Sequence, residues 1–157
     1  MANLACSDAG PLRKVYTIGF TKKTAAQFFG LIKMAGVKRL LDVRLNNVSQ
    51  LAGFTKRDDL AFFAREICGV DYLHMPLLAP TQAMLDSLKK HKGAWADYES
   101  AFLELMVQRE IERKLDNRLF SARTVMLCSE PTADHCHRRL VAEYLEEKWG
   151  GFEIHHL

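Results

Sequence analysis

The segment from Cys128 to Arg138 is the part of this chain that is most informative about chemistry. It holds two cysteines separated by seven residues, with Glu130 between them and His137 and Arg138 directly after the second. A thiolate is a nucleophile, an imidazole or a carboxylate can move a proton, and a guanidinium can hold an anion. The segment therefore contributes one candidate anion ligand, Arg138, and four candidate catalytic residues: Cys128, Cys136, His137 and Glu130.

This segment is predicted to run from a strand, through a loop, into the first turn of a helix. The apolar run 124–128 is typical of a buried strand, and Thr132 or Asp134 can cap a helix over about residues 134–149. The first turn of a helix presents free N–H groups and the positive end of the helix dipole, which together attract anions. We therefore expect the pKa of the Cys136 thiol to lie below its ordinary value.

Other candidate ligand residues follow the predicted strands. Asp42 and Arg44 close the second strand on the same face, so that Asp42 can orient the Arg44 guanidinium to clamp a phosphate-like anion. The same two residues can also form a structural ion pair. Together with Arg138, three further polar residues at strand ends complete the predicted set of ligand-binding residues: Thr21, His74 and Ser129.

Both cysteines of this segment also have explanations that involve no catalysis. Free cysteine is among the most buried residue types, so Cys128 and Cys136 can be small core residues. Zinc ligation is a further option, with His137 and either His74 or His155 completing the set. The seven-residue gap between the cysteines is longer than the spacing of common structural zinc sites. We therefore predict neither a metal nor another cofactor.

The composition limits the classes of function. The chain has 157 residues, of which 48% are hydrophobic and 26% charged, as in one ordinary folded domain. A net charge of +3 is compatible with a small anionic ligand or nucleotide, whereas nucleic acid is not favoured as a partner. No apolar run reaches the roughly 18 residues needed to cross a bilayer, and the N-terminus does not resemble a signal peptide. We therefore expect no membrane partner and a cytoplasmic location with reduced thiols.

The chain alternates between short apolar runs and amphipathic stretches. The apolar runs predict five strands, which begin near Val15, Val37, Asp71, Thr124 and Phe152. Strands that alternate with helices favour a three-layer α/β/α, Rossmann-like fold with a mainly parallel sheet. Residues 14–157 are predicted to form this single domain, and residues 1–13 a loosely held tail. In such sheets ligands bind beyond the carboxyl ends of the strands, where the candidate residues fall.

Five short motifs occur along the chain: Thr-Ile-Gly (17–19), Leu-Asp-Val-Arg (41–44), Phe-Thr-Lys (54–56), Tyr72–Pro76, and Leu-Cys-Ser-Glu (127–130) with Cys-His-Arg (136–138). In this order they resemble the domain of unknown function 488 family, over residues 15–157. The resemblance implies a compact α/β/α domain of prokaryotes to which no activity is assigned. It also implies a set of signature positions: Asp42, Arg44, Cys128, Glu130, Cys136, His137 and Arg138.

Two features depart from the family pattern and imply a less basic site. Phe20 stands where many relatives have histidine, and the loop after Arg44 lacks the proline- and arginine-rich character common in the family. The chain is also similar to rhodanese-like sulfurtransferases in its Asp-Val-Arg strand end and in a cysteine that precedes a helix. Their cysteine and arginine are about six positions apart, whereas Cys128 and Arg138 are ten apart, so the similarity is one of architecture.

Three functions therefore remain open. The first is an enzyme that holds an anionic, phosphate- or nucleotide-like substrate and uses a cysteine nucleophile. The second is a nucleotide- or nucleic-acid-binding module without catalysis, and the third is a zinc-stabilised structural or regulatory domain. A thiolate reactive at neutral pH favours the first, steep salt dependence of binding the second, and metal content the third. The oligomeric state is left open.

Overall fold

A computed structural model of the protein describes residues 10–48, 52–90 and 94–157. Its five strands form one sheet with the order β3-β2-β4-β1-β5, and every pair of neighbours is parallel. The strands are β1 (Arg13–Gly19), β2 (Arg39–Asp42), β3 (Asp71–His74), β4 (Thr124–Cys128) and β5 (Phe152–His156). The parallel sheet with helices on both faces confirms the predicted three-layer, Rossmann-like α/β/α class.

Within the described ranges, six α-helices and three short 3-10 helices connect the strands. The α-helices are α1 (Ala25–Met34), α2 (Arg57–Cys68), α3 (Gln82–Lys90), α4 (Trp95–Gln108), α5 (Ile111–Lys114) and α6 (His137–Trp149). The 3-10 helices are Gly53–Thr55, Pro76–Leu78 and Asn117–Phe120. Of the helices in the described ranges, none is both long and apolar enough to pass through a bilayer.

The hydrophobic residues divide into two clusters, one on each face of the sheet. Tyr16 and Ile18 of β1 pack on α1 and α2 in the first cluster. The alternate residues of β4, Met126 and Cys128, belong to the second cluster, together with Phe102 of α4 and residues of α6. Because successive side chains of a strand point to opposite faces, this alternation places the Cys128 thiol on the face covered by α4 and α6.

The chain topology places the carboxyl end of β4 at a switch point of the sheet. Strand β4 lies between β2 and β1. The connections that leave β1 and β2 run through α1 and α2 on one face, whereas α6 leaves β4 on the other. The connections therefore diverge on both sides of β4. In open α/β sheets this divergence is where ligands bind, so the fold puts Cys128 and the loop after it at the favoured position.

Several predicted boundaries differ from the structure. Helix α6 begins at His137 rather than near residue 134, and Cys136 is its N-cap. The helical stretch between residues 95 and 114 is divided into α4 and α5, because Glu110 has a left-handed backbone with φ of 53°. Strand β1 begins at Arg13, the last residue of the predicted tail, which pairs with Phe152. Residues 10–12 of that tail belong to no helix or strand, and residues 1–9 lie outside the described residues.

Candidate functional site

Cys128, Cys136 and His137 form a compact group that we call the thiol cluster. The two sulfurs and one imidazole nitrogen all lie within 4.8 Å of one another, and the three residues are buried. Cys128 ends β4, while Cys136 holds an extended backbone before α6 and uses no side-chain hydrogen bond to cap it. The strand end and the helix start therefore bring together two thiols that are eight positions apart in the sequence.

The hydrogen bonds of His137 determine the tautomer of its ring. Its Nε2 lies 2.8 Å from the carbonyl oxygen of Val43, which follows β2. A carbonyl oxygen only accepts, so Nε2 carries a hydrogen and the neutral ring presents the lone pair of Nδ1. That nitrogen lies 3.5 Å from Cys128 Sγ. The arrangement is a thiol beside a base, with the base oriented by a third group, as in nucleophilic catalysis.

The surroundings of the two thiols shift their pKa values in opposite directions. The pKa of Cys128 is lowered, chiefly because the adjacent Cys136 thiol forms a hydrogen bond that favours a charged Cys128 sulfur. The backbone N–H groups of Glu130 and Ser129 and the charge of Arg138 lower it further. The pKa of Cys136 is raised, first by Cys128 and then by burial. The predicted lowering at Cys136 is therefore wrong, because the thiol shares its buried position with the more acidic Cys128. Cys128 is the better candidate nucleophile.

Arg138 is fully buried in the first turn of α6. Its Nη1 donates to the Glu130 carbonyl oxygen at 2.6 Å and to Cys136 Sγ at 3.4 Å. No carboxylate of the described residues pairs with it, and its Nη2 has no hydrogen-bond partner among them. A buried guanidinium with neither a counter-charge nor a full set of acceptors is unusual, because desolvating an unpaired charge is costly.

Two residues outside the predicted site hold the other side of the Arg138 guanidinium. Its Nε donates to Thr17 Oγ1 at 3.3 Å, and that hydroxyl lies 2.7 Å from Nδ1 of His156. Since Thr17 accepts from Arg138, its own hydrogen is free to reach the imidazole nitrogen. Burial and the charge of Arg138 lower the pKa of His156, which favours the neutral ring that can accept this bond. Strands β1 and β5 therefore help to orient Arg138.

Gly19 allows the loop after β4 to cross the end of β1. A Cβ on this residue would lie 1.6 Å from the Glu130 carbonyl oxygen and 2.9 Å from Arg138 Nη1. The same loop is also hydrogen-bonded to the segment after β1, because the backbone N–H of Thr21 donates to the Ser129 carbonyl oxygen. The absence of a side chain at Gly19 is therefore what lets the Glu130 carbonyl approach Arg138.

Asp42 and Arg44 form a buried ion pair. The Arg44 Nε and Nη2 atoms each lie 2.7 Å from one oxygen of the Asp42 carboxylate, and Nη2 also donates to the Thr55 carbonyl oxygen. The Phe20 ring lies 5.3 Å from the centre of the guanidinium. This geometry agrees with the structural ion pair that the sequence left open, since the carboxylate uses the guanidinium edge that would clamp an anion.

The same ion pair is held by further polar groups of β2 and β3. The Tyr72 hydroxyl donates to Asp42 Oδ2 at 2.6 Å and accepts from the Asn47 side chain at 3.2 Å. His74 Nε2 lies 2.9 Å from the backbone oxygen of Arg44. The contacts of His74 and Arg44 are therefore internal to this group, which we call the carboxylate cluster (Asp42, Arg44, Asn47, Tyr72 and His74).

The remaining predicted site residues, the ligand candidates Thr21 and Ser129 and the catalytic candidate Glu130, lie at the rim. Thr21 and Glu130 are exposed, and Ser129 is half-buried. Lys23, which the sequence analysis did not select, donates to the Pro131 carbonyl oxygen at 3.5 Å, and the charge of Arg138 contributes to lowering its pKa, after burial. Together with Lys22, it lines a groove of about 540 Å³ along α1 that ends at Pro131. Two lysines therefore lie beside the loop after β4, which itself carries the exposed acidic residues Glu130 and Asp134.

Among the described residues, the thiol cluster has side chains spaced closely enough to bind a metal ion together. Two thiolates and an imidazole are ligands that zinc prefers, and the bond from His137 Nε2 to a backbone carbonyl is the usual support of a metal-bound histidine. The Arg138 guanidinium, which contacts Cys136 Sγ, opposes a cation there. No fourth protein ligand joins the three within the described ranges. His74 is not part of the group, since its ring bonds the Arg44 backbone.

Sequence reasoning missed the residues that support the site from a distance. Thr17 and Gly19 belong to the Thr-Ile-Gly motif and His156 to the last strand, but the sequence predicted no contact of these residues with Arg138. Tyr98 of α4 is nearly buried, with its ring 5.1 Å from that of Trp95, and the charges of Cys128, Cys136 and Glu130 add to burial in raising its pKa. No local signal marks such residues, because their role depends on which elements pack together.

The comparison with protein families identifies the relatives of this chain. The model described as "Domain of unknown function DUF488" matches residues 24–145. The chain belongs to the DUF488 family. The match includes Asp42, Arg44 and the whole segment from Cys128 to Arg138, so both clusters lie within the part that DUF488 proteins share. Strands β1 and β5, which supply Thr17, Gly19 and His156, lie outside it.

No curated protein and no solved structure shows a significant match to this DUF488 chain. The family description assigns no activity. A functional argument therefore has to come from the site itself.

Proposed function

We propose that this DUF488 protein binds a small anionic ligand at the carboxyl edge of its sheet and that Cys128 acts on it as a nucleophile. The observation that carries this proposal is the state of Arg138, which is fully buried, has no carboxylate partner among the described residues and leaves Nη2 without an acceptor. A guanidinium keeps its charge at any pH at which proteins are folded. Negative charge must therefore be supplied by a thiolate or by a ligand.

The neighbours of Arg138 favour both sources of negative charge. Its Nη1 contacts Cys136 Sγ, and it contributes to lowering the pKa of Cys128. A thiolate at Cys128 would neutralise the site at rest, and an anionic substrate group would do so when bound. Lys22 and Lys23 at the adjacent groove would attract such a group.

The geometry around Cys128 supports nucleophilic chemistry. His137 holds its unprotonated Nδ1 3.5 Å from the sulfur and can take the thiol proton, while Val43 fixes the ring. Backbone N–H groups of Ser129 and Glu130 favour charge on the same sulfur. In this proposal Glu130 contributes its backbone rather than its exposed carboxylate.

Burial limits the size of the reacting group. The exposed fractions of Cys128 and Cys136 are 6% and 2%. A group the size of phosphate or sulfate, free or at the end of a larger molecule, fits this restriction better than a nucleoside or an extended nucleic acid. Arg44 is not assigned to the ligand, because Asp42 and Thr55 already occupy its donors.

Two measurements on the full-length reduced protein test this proposal. The first is the melting temperature in increasing sodium sulfate or phosphate, against sodium chloride at equal ionic strength. We expect both oxyanions to raise it more in the wild type than in Arg138→Met, because these salts stabilise folded proteins in general and a bound ligand adds a further increase only where its site is intact. Arg139→Met is the matched control, since Arg139 follows Arg138 in α6 but pairs with Glu99 of α4 and Glu143 of α6, and it should respond like the wild type.

The second measurement is the alkylation rate of each cysteine by iodoacetamide as a function of pH, resolved by mass spectrometry. We expect Cys128 to react with a midpoint below that of Cys68, whose pKa is raised by burial. Bound oxyanion should slow this reaction in the wild type. If oxyanions stabilise the wild type more than Arg138→Met but Cys128 is not alkylated, the protein is a binding module without catalysis. If oxyanions do not stabilise the wild type more than this variant and Cys128 is not alkylated, the proposal is overturned.

A zinc site is the second candidate, and the 4.8 Å grouping of the thiol cluster is the observation that favours it. Cys128, Cys136 and His137 would be three ligands of an ion with an open fourth position. Stoichiometric zinc in the purified protein, and thiols that become reactive only after a chelator is added, would favour this candidate over the first. Metal-free protein with a reactive Cys128 would exclude it.

A further inference from the structure

We propose that Cys128 and Cys136 together reduce a small hydroperoxide, with Cys136 resolving the oxidised Cys128 as an intramolecular disulfide. This inference rests on the proposed role of Cys128 as a nucleophile and adds a substrate class and a role for the second thiol.

The first support is the distance between two reduced thiols. Both cysteines are free, and their sulfurs lie within 4.8 Å of each other. Cys136 is the N-cap of α6, yet its sulfur accepts no bond from the helix backbone. It is therefore not committed to capping, and its sulfur lies beside Cys128 and the Arg138 guanidinium instead. A thiol in that position is suited to displace a group from the Cys128 sulfur.

The second support is the closed surface over the sulfurs. With 6% and 2% of their surfaces exposed, these cysteines offer no room for a bulky disulfide or peptide substrate. The two grooves along α1 are lined by other residues and contain neither sulfur. The small exposed fraction of Cys128 therefore favours small electrophiles, of which a hydroperoxide, with two linked oxygen atoms, is one.

The third support is the unused donor of Arg138. Its Nη1 contacts Cys136 Sγ at 3.4 Å, and Nη2 of the same planar group is buried without an acceptor among the described residues. An oxygen atom of a bound peroxide would supply that acceptor. The developing negative charge on the departing oxygen would then face a guanidinium that has no carboxylate to neutralise it.

The reaction balances with one hydroperoxide and two thiols. The Cys128 thiolate attacks one peroxide oxygen, so that an S–O bond forms, the O–O bond breaks, and the departing oxygen leaves as an alcohol or water with the proton held by His137. The Cys136 thiol then attacks the Cys128 sulfenic acid, so that an S–S bond forms and the hydroxyl leaves as water with the Cys136 proton. An external dithiol returns the disulfide to two thiols.

The test uses reduced full-length protein, hydrogen peroxide at neutral pH, and mass spectrometry of the intact and digested chain. We expect a product lighter by two hydrogens, with a Cys128–Cys136 cross-link, formed at least about tenfold faster than oxidation of Cys68. In Cys136→Ser the first step should remain, and a sulfenic acid at Cys128 should be trapped by dimedone. Cys128→Ser should lose the fast reaction, and Cys68→Ser should retain it. Thermal melting of each variant shows whether it is folded.

Parallel alkylation by iodoacetamide separates this inference from the proposed function. If Cys128 is alkylated readily but peroxide oxidises it no faster than Cys68, or oxidises it without forming the cross-link, the peroxide inference is overturned and the nucleophile remains. If Cys128 resists both reagents in folded protein, both are overturned. Fast peroxide consumption that survives in Cys128→Ser would also overturn the inference.

Discussion

Arg44 and Arg138 are both buried at the carboxyl edge of the same sheet, yet their charges are balanced differently. Arg44 is held by both oxygens of Asp42 and by the Thr55 carbonyl oxygen, in a network that Tyr72 extends. Arg138 has the Glu130 carbonyl oxygen, the Thr17 hydroxyl and a sulfur atom as its partners. The two regions thus differ in whether the fold supplies a carboxylate.

This difference separates a buried charge that the fold balances from one that the described residues leave unbalanced. The arginine of the carboxylate cluster meets its charge partner within the fold, so it stabilises the ends of β2 and β3 without needing a ligand. The arginine beside the thiol cluster carries a charge that the described residues do not balance. The two clusters are joined through His137, whose Nε2 donates to Val43, between Asp42 and Arg44 in the chain. The carboxylate cluster therefore holds the backbone that orients the base.

Replacing Arg44 by methionine should have the largest effect. The substitution leaves the Asp42 carboxylate buried without its bidentate partner, which typically destabilises a protein by about 3–5 kcal/mol. Chemical denaturation measures the change, and Asp42→Asn combined with Arg44→Met should recover part of it. A loss below about 1 kcal/mol would show that the buried pair does not hold this edge of the sheet.

Replacing Gly19 by alanine should disturb the Arg138 region and spare the carboxylate cluster. The new Cβ would lie 1.6 Å from the Glu130 carbonyl oxygen, so the loop after β4 must move. Overpacking of this kind destabilises by about 1–3 kcal/mol or more. Alkylation of Cys128 should change as well, because the Glu130 carbonyl also holds Arg138. Gly30→Ala in α1 is the control, since nothing lies within 4 Å of its Cβ and the helix should gain up to about 1 kcal/mol. If Gly19→Ala and Gly30→Ala are equally stable, the loop after β4 does not pass as closely over Gly19 as described.

Replacing Arg138 by methionine should alter stability far less than the same change at Arg44. It removes three hydrogen bonds but also removes an unbalanced buried charge, so we expect a net change within about 1 kcal/mol without added anion. The alkylation midpoint of Cys128 should rise, because Arg138 no longer favours the thiolate. If the loss of stability matches that of Arg44→Met, the two arginines do not differ in the way their contacts indicate.

The smallest expected effect is a pH dependence from His156. Its pKa in the folded protein lies below the ordinary value of 6.5, chiefly because of burial and then because of the charge of Arg138. Arg139 lowers this pKa further, whereas Glu143 and Asp134 raise it. Below pH 6.5 the unfolded chain therefore binds a proton that the folded chain resists, and stability should fall as the pH decreases. His156→Gln should flatten this part of the stability profile measured by denaturation. If the dependence of stability on pH is the same in His156→Gln as in the wild type, a group other than His156 binds this proton.

The class of fold followed from the sequence because its signals are local. Apolar runs of strand length alternate with helical periodicity, and the structure has local capping residues at helix ends, such as Thr24 before α1 and Gly69 after α2. The candidate residues were also found by their types at strand ends, since parallel strands deliver their carboxyl ends to one edge. The start of α6 was misplaced, because Cys136 caps the helix through its backbone alone and gives no side-chain signal.

Residue type and order determined that this chain forms an α/β/α sheet with two thiols, an imidazole and a guanidinium at one edge. Only the tertiary structure decided which arginine is neutralised and which thiol is more acidic. Those properties depend on distances between β1, β2, β4 and α6, which are far apart in the chain. The free energy of a buried charge depends on the atoms within a few ångströms of it, and those atoms are chosen by packing rather than by sequence neighbours.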